Sequence, residues 1–246
     1  MTLQAALVRI GFASLLAGMV VFGSAYAAGA VDTMPPQAGE VLCAGAPKRH
    51  YNGQIEQCTL ARDYRSGDLS LPEGSLVTFT KTGMLAEAFL AAPVVVSGQT
   101  LPAKATLFFD SAGRMRHFWL REEAVIQGYR LRAMGKGYIG YLGHMLHPNG
   151  KLRAVWLAGE EVIDGLPCAS KFPFLQGGWQ AIRLGAQAMA WFYEDGHLRQ
   201  AMLARDTTIQ GQVFRKGEVL SLRRDGTLDL VTQKLDWNGW GSFPDH

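Results

Sequence analysis

Three cysteines offer the most direct chemistry in this sequence. Cys43 and Cys58 flank a turn at Asn52-Gly53, on segments that should be neighbouring strands. Cysteines on neighbouring strands form a disulfide where their Cα atoms lie within about 7 Å, so we expect a Cys43–Cys58 bond in an oxidising compartment. Cys168 has no histidine near it in sequence and holds a position that Leu or Phe holds elsewhere. This pattern predicts a buried, structural thiol.

Among the six histidines, His144 and His147 alone have a spacing that suggests metal binding on a turn. A zinc site needs further ligands, and the sequence identifies none for this pair. We therefore expect no metal. His50 and His197 flank hairpin turns and are predicted to be solvated.

Two acidic pairs, Glu122-Glu123 and Glu160-Glu161, have the residue type of a general acid and base. They stand at the same position of an internal repeat, and a residue type placed once per repeat usually serves a turn. The chain also lacks GxSxG, P-loop, HExxH and CxxC motifs. We predict that the protein is not an enzyme and has no cofactor.

Aromatic residues concentrate in three segments that break the repeat. Two are insertions near residues 132–148 and 169–190, and the third is the C-terminal segment. Exposed aromatic side chains stack on sugar rings or anchor a partner. The candidate binding residues are Tyr138, Tyr141, Phe172, Phe174, Trp179, Trp237 and Trp240. The alternative is that the insertions and the C-terminal segment cap open sheet edges.

An internal repeat of about 30 residues positions these groups. Its six turn glycines are spaced 30, 30, 37, 46 and 30 residues apart: Gly53, Gly83, Gly113, Gly150, Gly196 and Gly226. Four of them follow Asn or Asp, a pairing preferred in two-residue hairpin turns with positive φ. Seven residues after the glycine, the five complete copies have Leu60, Leu90, Leu120, Leu157 and Leu203. The pattern predicts a β-hairpin in each copy.

The repeat predicts an all-β fold. Alternating segments of five to eight residues, separated by Gly, Pro, Asn and Asp, are typical of strands, and about three fit each copy to make a β-meander repeated six times. The leucines should stack into one core. Phe89, Trp119, Trp156 and Met202, which precede four of them, must face the other way. We expect a twisted sheet closed as a sandwich, an open barrel or a solenoid.

Three turn segments, HYNG from His50, LHPNG from Leu146 and FYEDG from Phe192, are similar to a known motif. They resemble MORN-type repeats and related bacterial β-hairpin repeat proteins, whose turns also combine an aromatic residue, a short polar linker and Gly. The resemblance covers the turns of the copies. It implies β-hairpins and a scaffold that faces a membrane or a partner.

Residues 1–27 are typical of a secretory signal peptide. Arg9 precedes an apolar run from Ile10 to Gly23, which is shorter than the roughly 20 residues that span a bilayer. Ala25-Tyr26-Ala27 matches the small-x-small cleavage pattern. We expect cleavage after Ala27 and a single β-repeat domain over residues 28–246 without a transmembrane segment.

The charge balance and the repeat together predict a class of function. A formal net charge of +3 does not suggest nucleic-acid binding, which needs a dense basic face. We predict an exported, non-catalytic β-repeat protein of the cell envelope, periplasmic or secreted, that acts as a scaffold for an envelope protein partner. The alternative is a glycan- or lipid-binding module that uses the inserted aromatic loops.

Overall fold

The computed structural model describes residues 40–134, 143–170 and 189–229, which contain 21 short strands and no helix. The all-β prediction is confirmed. The strands are β1 (Lys48–Arg49), β2 (Ile55–Thr59), β3 (Tyr64–Ser66), β4 (Leu69–Leu71), β5 (Leu76–Phe79), β6 (Leu85–Phe89), β7 (Val94–Val96), β8 (Gln99–Leu101), β9 (Thr106–Phe109), β10 (Met115–Trp119), β11 (Ala124–Ile126), β12 (Tyr129–Leu131), β13 (His144–Leu146), β14 (Leu152–Val155), β15 (Glu161–Ile163), β16 (Leu166–Ala169), β17 (Ala190–Phe192), β18 (Leu198–Leu203), β19 (Thr207–Ile209), β20 (Gln212–Phe214) and β21 (Val219–Ser221). In these ranges no helix is long and apolar enough to cross a membrane.

The strands form one large twisted sheet with short hairpins beside it. The main sheet has 13 antiparallel strands in the order β1-β2-β5-β6-β9-β10-β13-β14-β17-β18-β16-β15, and β21 also pairs with β18. This order does not return to β1 within the described chain, so the sheet is open. The pairs β3–β4, β7–β8, β11–β12 and β19–β20 are separate two-stranded sheets. Each of the five complete copies contributes four strands rather than the three expected.

The core lies between the main sheet and the short hairpins. Its largest cluster joins main-sheet residues such as Val77 and Phe118 to hairpin residues such as Leu71 and Ile126. The five repeated leucines are at most 1% exposed. Four of them lie in this one cluster as predicted, whereas Leu203 belongs to a separate cluster. Trp119 and Trp156 belong to a different apolar cluster, which confirms that the residue before the leucine faces away from the core. We call this opposite side of the main sheet the outer face.

The turns at the six repeat glycines are longer than the two residues predicted. In the first, the Gly53 amide donates to the His50 carbonyl at 2.9 Å, and the His50 amide donates to the Gln54 carbonyl at 2.8 Å. Such a three-residue turn needs a left-handed residue at the glycine alone, and Gly53 has φ 84°. Asn52 instead accepts the Gln54 amide at 3.2 Å through its side chain. The Asn or Asp therefore acts as a hydrogen-bond acceptor and does not supply a positive φ.

Two-residue turns occur in the short hairpins. The turn that joins β7 to β8 has positive φ at both residues, 50° at Ser97 and 74° at Gly98. This combination defines a type I′ turn, whose twist matches that of the flanking strands. The same geometry recurs at Gln127-Gly128, Asp164-Gly165 and Gln210-Gly211. The second glycine of each copy thus forms a second hairpin, which explains the fourth strand.

We call the main-sheet hairpins at the first five repeat glycines the long hairpins. Each of them contains a β-bulge just after its turn. In the third copy Met115 pairs with Phe109 and His117 with Phe108, so Arg116 is the additional residue. Met115 and Phe118 are buried in the core. The two residues between them therefore both lie on the outer face, because a bulge adds one residue to the normal alternation. Every long hairpin gains one outward side chain in this way.

Lys104 occupies a left-handed position that glycine holds in two other copies. Its φ is 63°, against 80° at Gly74 and 85° at Gly217. All three amides donate to the carbonyl of the repeated leucine, at 2.8–2.9 Å. A side chain in this region costs roughly 1–2 kcal/mol. We therefore expect Lys104→Gly to raise the free energy of unfolding by about 1 kcal/mol in urea titrations.

The matched control for this prediction is Gly217→Ala. No atom lies within 4 Å of an added Cβ there, so the backbone angle alone sets the cost. We expect this variant to lose about 1 kcal/mol. Equal or lower stability for Lys104→Gly would show that the angle is not strained.

The predicted disulfide is present between Cys43 and Cys58. Their Cα atoms lie 5.7 Å apart, at a sequence separation of 15 residues. The bond links the segment before β1 to β2. Cys43 also forms a β-bridge with Leu60, the residue that follows β2. A disulfide is consistent with an oxidising compartment.

Removal of this disulfide should be costly. A closed loop of about 15 residues is worth about 3 kcal/mol through restriction of the unfolded chain, so we expect that loss for the Cys43→Ser/Cys58→Ser variant. Urea unfolding with and without reductant measures it. Reductant should lower the stability of the parent and leave the variant unchanged, and equal stability of both oxidised proteins contradicts the prediction.

Candidate functional site

The seven aromatic residues predicted to bind a ligand, namely Tyr138, Tyr141, Phe172, Phe174, Trp179, Trp237 and Trp240, lie outside the described residues. Two described residues at the edges of the insertions do have a location. Met134 lies near the start of the first insertion and Met189 near the end of the second, and both are buried in the apolar cluster of the outer face. These two ends of the insertions therefore meet the same side of the main sheet.

The structure does not bring His144 and His147 together as metal ligands. His144 is fully buried: its Nε2 lies 3.0 Å from the Arg132 carbonyl, and its Nδ1 accepts the Trp156 amide at 3.3 Å. His147 Nε2 lies 3.0 Å from the Phe192 carbonyl in the next long hairpin. In the described ranges no group of three or more His, Cys, Asp or Glu residues is arranged to hold a metal ion.

The two turn histidines differ from each other. His50 is partly buried, and its Nε2 lies 2.9 Å from the Phe79 carbonyl of the next long hairpin. The prediction that it is solvated is therefore wrong, because the ring bridges two copies, as His147 does. His197 is 63% exposed, with its Nδ1 3.4 Å from Asp164. It is solvated as predicted.

The acidic pairs form surface ion pairs with side chains of other strands and turns. Glu122 lies 3.7 Å from Lys104, Glu160 lies 3.5 Å from Arg205, and Glu161 lies 4.0 Å from Arg130. Glu161 also accepts the Arg130 amide at 3.4 Å. These contacts fit the predicted structural role.

Cys168 is buried as predicted. Burial raises the pKa of its thiol to about 12. The group therefore stays protonated at neutral pH, and a protonated thiol is a poor nucleophile.

Exposed valines stand on three of the short hairpins and on β15, the last strand of the main sheet. We call Val95, Val125, Val162 and Val213 the valine stripe; they are 59%, 66%, 62% and 58% exposed. Each is the middle residue of a three-residue strand, namely β7, β11, β15 and β20. Because strand residues alternate, the outer two residues of β7 and β11 face the core while the valine faces solvent. The stripe presents one valine in each of four successive copies.

Sequence reasoning missed the valine stripe, although the sequence contains a signal for it. A half-buried strand alternates apolar and polar residues. The β7 and β11 segments read VVV and AVI, apolar at all three positions. An apolar residue between two core residues points outward, so these segments mark an exposed apolar site.

The outer face carries aromatic side chains in its central strands. The Phe108 and His117 rings stack with their centroids 4.3 Å apart, and Trp119 meets Phe108 edge-on at 4.9 Å. Pairing continues across the sheet from His117 to Met145, then to Ala154 and Trp191. Behind this row, Trp156 is fully buried in the second apolar cluster. The outer face is therefore largely apolar from β9 to β17.

Three arginines lie beside these aromatic residues at the bulge position. We call Arg116, Arg153 and Arg199 the arginine row, because each is the additional residue of its hairpin. Burial lowers the pKa of Arg153, and the charges of Arg116 and Arg199 lower it further. Arg116 Nη1 is buried and has no hydrogen-bond partner among the described residues, while Arg116 Nε lies 3.8 Å from Asp110. The three guanidinium groups thus form a local concentration of positive charge.

Comparisons with known proteins do not extend these observations. No protein-family model matches the chain, and searches of curated proteins and of solved structures find no match. The resemblance of the turns to MORN-type repeats stays a prediction. The function must therefore be inferred from the two surfaces themselves.

Proposed function

We propose that this chain is an exported, non-catalytic β-repeat protein of the cell envelope that acts as a protein-interaction scaffold. The valine stripe is the observation that carries the proposal. Single exposed apolar residues are common on soluble proteins, whereas larger exposed apolar patches mark interaction sites. Four of the six large apolar side chains exposed in the described chain belong to this stripe. A partner that covers it gains on the order of 1 kcal/mol for each valine.

The surroundings of the stripe favour a protein partner. Val95 pairs across its hairpin with Thr100, Val125 with Arg130, and Val213 with Thr208. Nearby ion pairs contain both signs of charge, as in Lys104–Glu122 and Arg205–Glu160. An apolar centre with a mixed polar rim is the usual composition of a protein–protein interface. Anionic lipids and nucleic acids select a basic surface instead.

Export rests on two observations. Residues 1–27 have the composition of a secretory signal peptide with a cleavage pattern at Ala25-Tyr26-Ala27, and the Cys43–Cys58 disulfide is consistent with an oxidising compartment. We propose cleavage after Ala27 and a periplasmic or secreted location. The glycan- or lipid-binding alternative in the inserted aromatic loops depends on residues outside the described ranges and stays a prediction.

The scaffold proposal can be tested by photocrosslinking in the producing cells. A photoreactive amino acid replaces Val125 or Val162, and the matched control replaces Arg65, the middle residue of β3 in the first copy. We expect one protein adduct of discrete mass from the two valine positions and none from the control. The adduct should decrease at least fivefold when the other three valines are changed to Thr, which has a similar shape and a polar hydroxyl.

Two results would overturn the scaffold proposal. One is the absence of an adduct at both valine positions. The other is an adduct that persists after the Thr substitutions, because the apolar stripe would then not determine the contact. Circular dichroism and a urea midpoint check that each variant folds.

A further inference from the structure

The outer face of the main sheet has a composition different from that of the valine stripe and lies on the opposite side of the core. It combines the arginine row with the aromatic side chains of β9, β10 and β17. We propose that this face binds an acidic oligosaccharide, with sugar carboxylates at Arg116, Arg153 and Arg199 and sugar rings against Phe108, Trp119 and Trp191. The site is independent of the proposed protein partner.

The spacing of the arginine row suits a linear polymer. Successive arginines are two strands apart, because His117, Met145 and Ala154 pair in sequence across β10, β13 and β14. Neighbouring strands are separated by about 4.8 Å, so the arginine positions recur at about 10 Å. A disaccharide unit of an extended polysaccharide has a similar length. A chain with one carboxylate per disaccharide can therefore follow the row.

The charges of the row favour an anionic ligand. Three guanidinium groups raise one another's electrostatic energy, and burial of Arg153 increases this effect. Asp110 is shared between Arg116 at 3.8 Å and Arg114 at 3.1 Å, so it neutralises Arg116 only in part. The Arg116 side chain is 26% exposed, so a ligand carboxylate can reach it from solvent. Arginine suits this role because its planar group binds carboxylates through two parallel hydrogen bonds.

The aromatic side chains favour a sugar over a lipid surface. The Phe108 ring packs against His117 and Trp119, with centroids 4.3 and 4.9 Å away, and all three side chains are partly buried in the sheet face. Rings held within the face offer a shallow strip on which a sugar ring can stack. Insertion into lipid requires side chains that project further. The residue that pairs with Phe108 on the neighbouring strand β6 is Glu87, an acidic residue. The proposed site therefore begins at β9 and extends towards β18.

Titration with defined oligosaccharides tests the inference. The probes are oligogalacturonates and hyaluronan oligosaccharides, which carry carboxylates, and cello-oligosaccharides of equal length, which are neutral. Isothermal titration calorimetry measures binding to the full exported chain. We expect both acidic probes to bind more tightly than the neutral one, with affinity that falls as salt rises. Changing Arg116 and Arg199 to Gln should weaken acidic binding at least tenfold.

The control variant removes two arginines elsewhere. Arg62 and Arg205 have exposed side chains and lie outside the arginine row, so Arg62→Gln/Arg205→Gln has the same net charge as the test variant and should bind as the parent does. The Thr variants of the valine stripe should also bind normally, which separates this site from the proposed scaffold function. Unfolding midpoints verify that all variants are folded.

Three results would overturn the inference. The first is no binding of either acidic probe. The second is equal loss of binding in the test and control variants, which would indicate a general charge effect. The third is tighter binding of anionic phosphatidylglycerol vesicles or of single-stranded DNA than of the acidic probes, with the same dependence on Arg116 and Arg199. In that case the face binds a lipid surface or a nucleic acid.

Discussion

Replacing Leu120 with Ala is expected to lower the free energy of unfolding by about 2–5 kcal/mol. Leu120 is fully buried in the core cluster of the third copy. The substitution removes the favourable transfer of three carbon atoms out of water and leaves a cavity. Copies on both sides depend on this leucine for packing, because Leu90, Leu120 and Leu157 belong to one core cluster.

The matched control for Leu120→Ala is Val125→Ala in the same copy. Val125 is 66% exposed, so its truncation should cost less than about 1 kcal/mol. Urea unfolding of both variants, followed by circular dichroism, provides the comparison. If the two losses are similar, the leucines do not form the stabilising core. A strong loss of stability from Val125→Ala alone would show that the valine side of the short hairpins, and not the opposite side, packs in the core.

Acid should destabilise the folded protein through His144. Burial lowers the pKa of this imidazole from 6.5 to about 4. The backbone amide of Trp156 donates to Nδ1, and a proton at that atom would displace this hydrogen bond. The unfolded chain therefore takes up a proton at higher pH than the folded chain. The contribution of the neutral His144 ring to the free energy of unfolding is fully present above pH 6.5 and is lost as pH falls towards 4.

The size of the acid effect follows from the difference in pKa. A shift from 6.5 to about 4 corresponds to about 3 kcal/mol at 1.36 kcal/mol per unit. Urea unfolding of the parent between pH 7.5 and 4.5 should show most of this loss. His144→Gln, which keeps an amide donor and acceptor without the titration, should show a pH dependence smaller by about 2–3 kcal/mol, whatever its stability at pH 7.5.

The control for His144 is His197→Gln, since His197 is exposed. Its pH dependence should match that of the parent. Equal pH dependence of the parent and His144→Gln would contradict the prediction. Hydrogen bonds hold the pKa values of Asp195, Asp206 and Asp225 below the ordinary 3.8, and these carboxylates do not confuse the test because the parent and both variants contain them.

The repeated sequence features predicted the framework of the fold. Glycine at the turns and leucine seven residues later are almost invariant among the copies, because a left-handed turn position and a fully buried core position each accept few residues. The orientation of Trp119 and Trp156 followed from simple alternation. Cys43 and Cys58 could be paired because they flank one hairpin turn.

Other features depend on hydrogen-bond register and were not accessible from periodicity. The dipeptide Asn52-Gly53 is compatible with both two- and three-residue turns, and the carbonyl that accepts the glycine amide decides between them. The β-bulge follows from that choice. Without the bulge, alternation counted back from the buried Phe118 would place the Arg116 side chain on the core face. The bridges from His50 and His147 to the next hairpin are similarly invisible, because they join residues 29 and 45 positions apart.

The β-bulge makes one position of each copy independent of the core. Its side chain points outward and has no counterpart in the leucine packing, so its chemical character can change while the fold is kept. From the first copy to the fifth the position holds Glu56, Ala86, Arg116, Arg153 and Arg199. The bulge positions thus change from an acidic side chain, which is paired with Lys48, to basic side chains. An acidic polymer that binds the outer face as proposed would therefore be attracted to the later copies first.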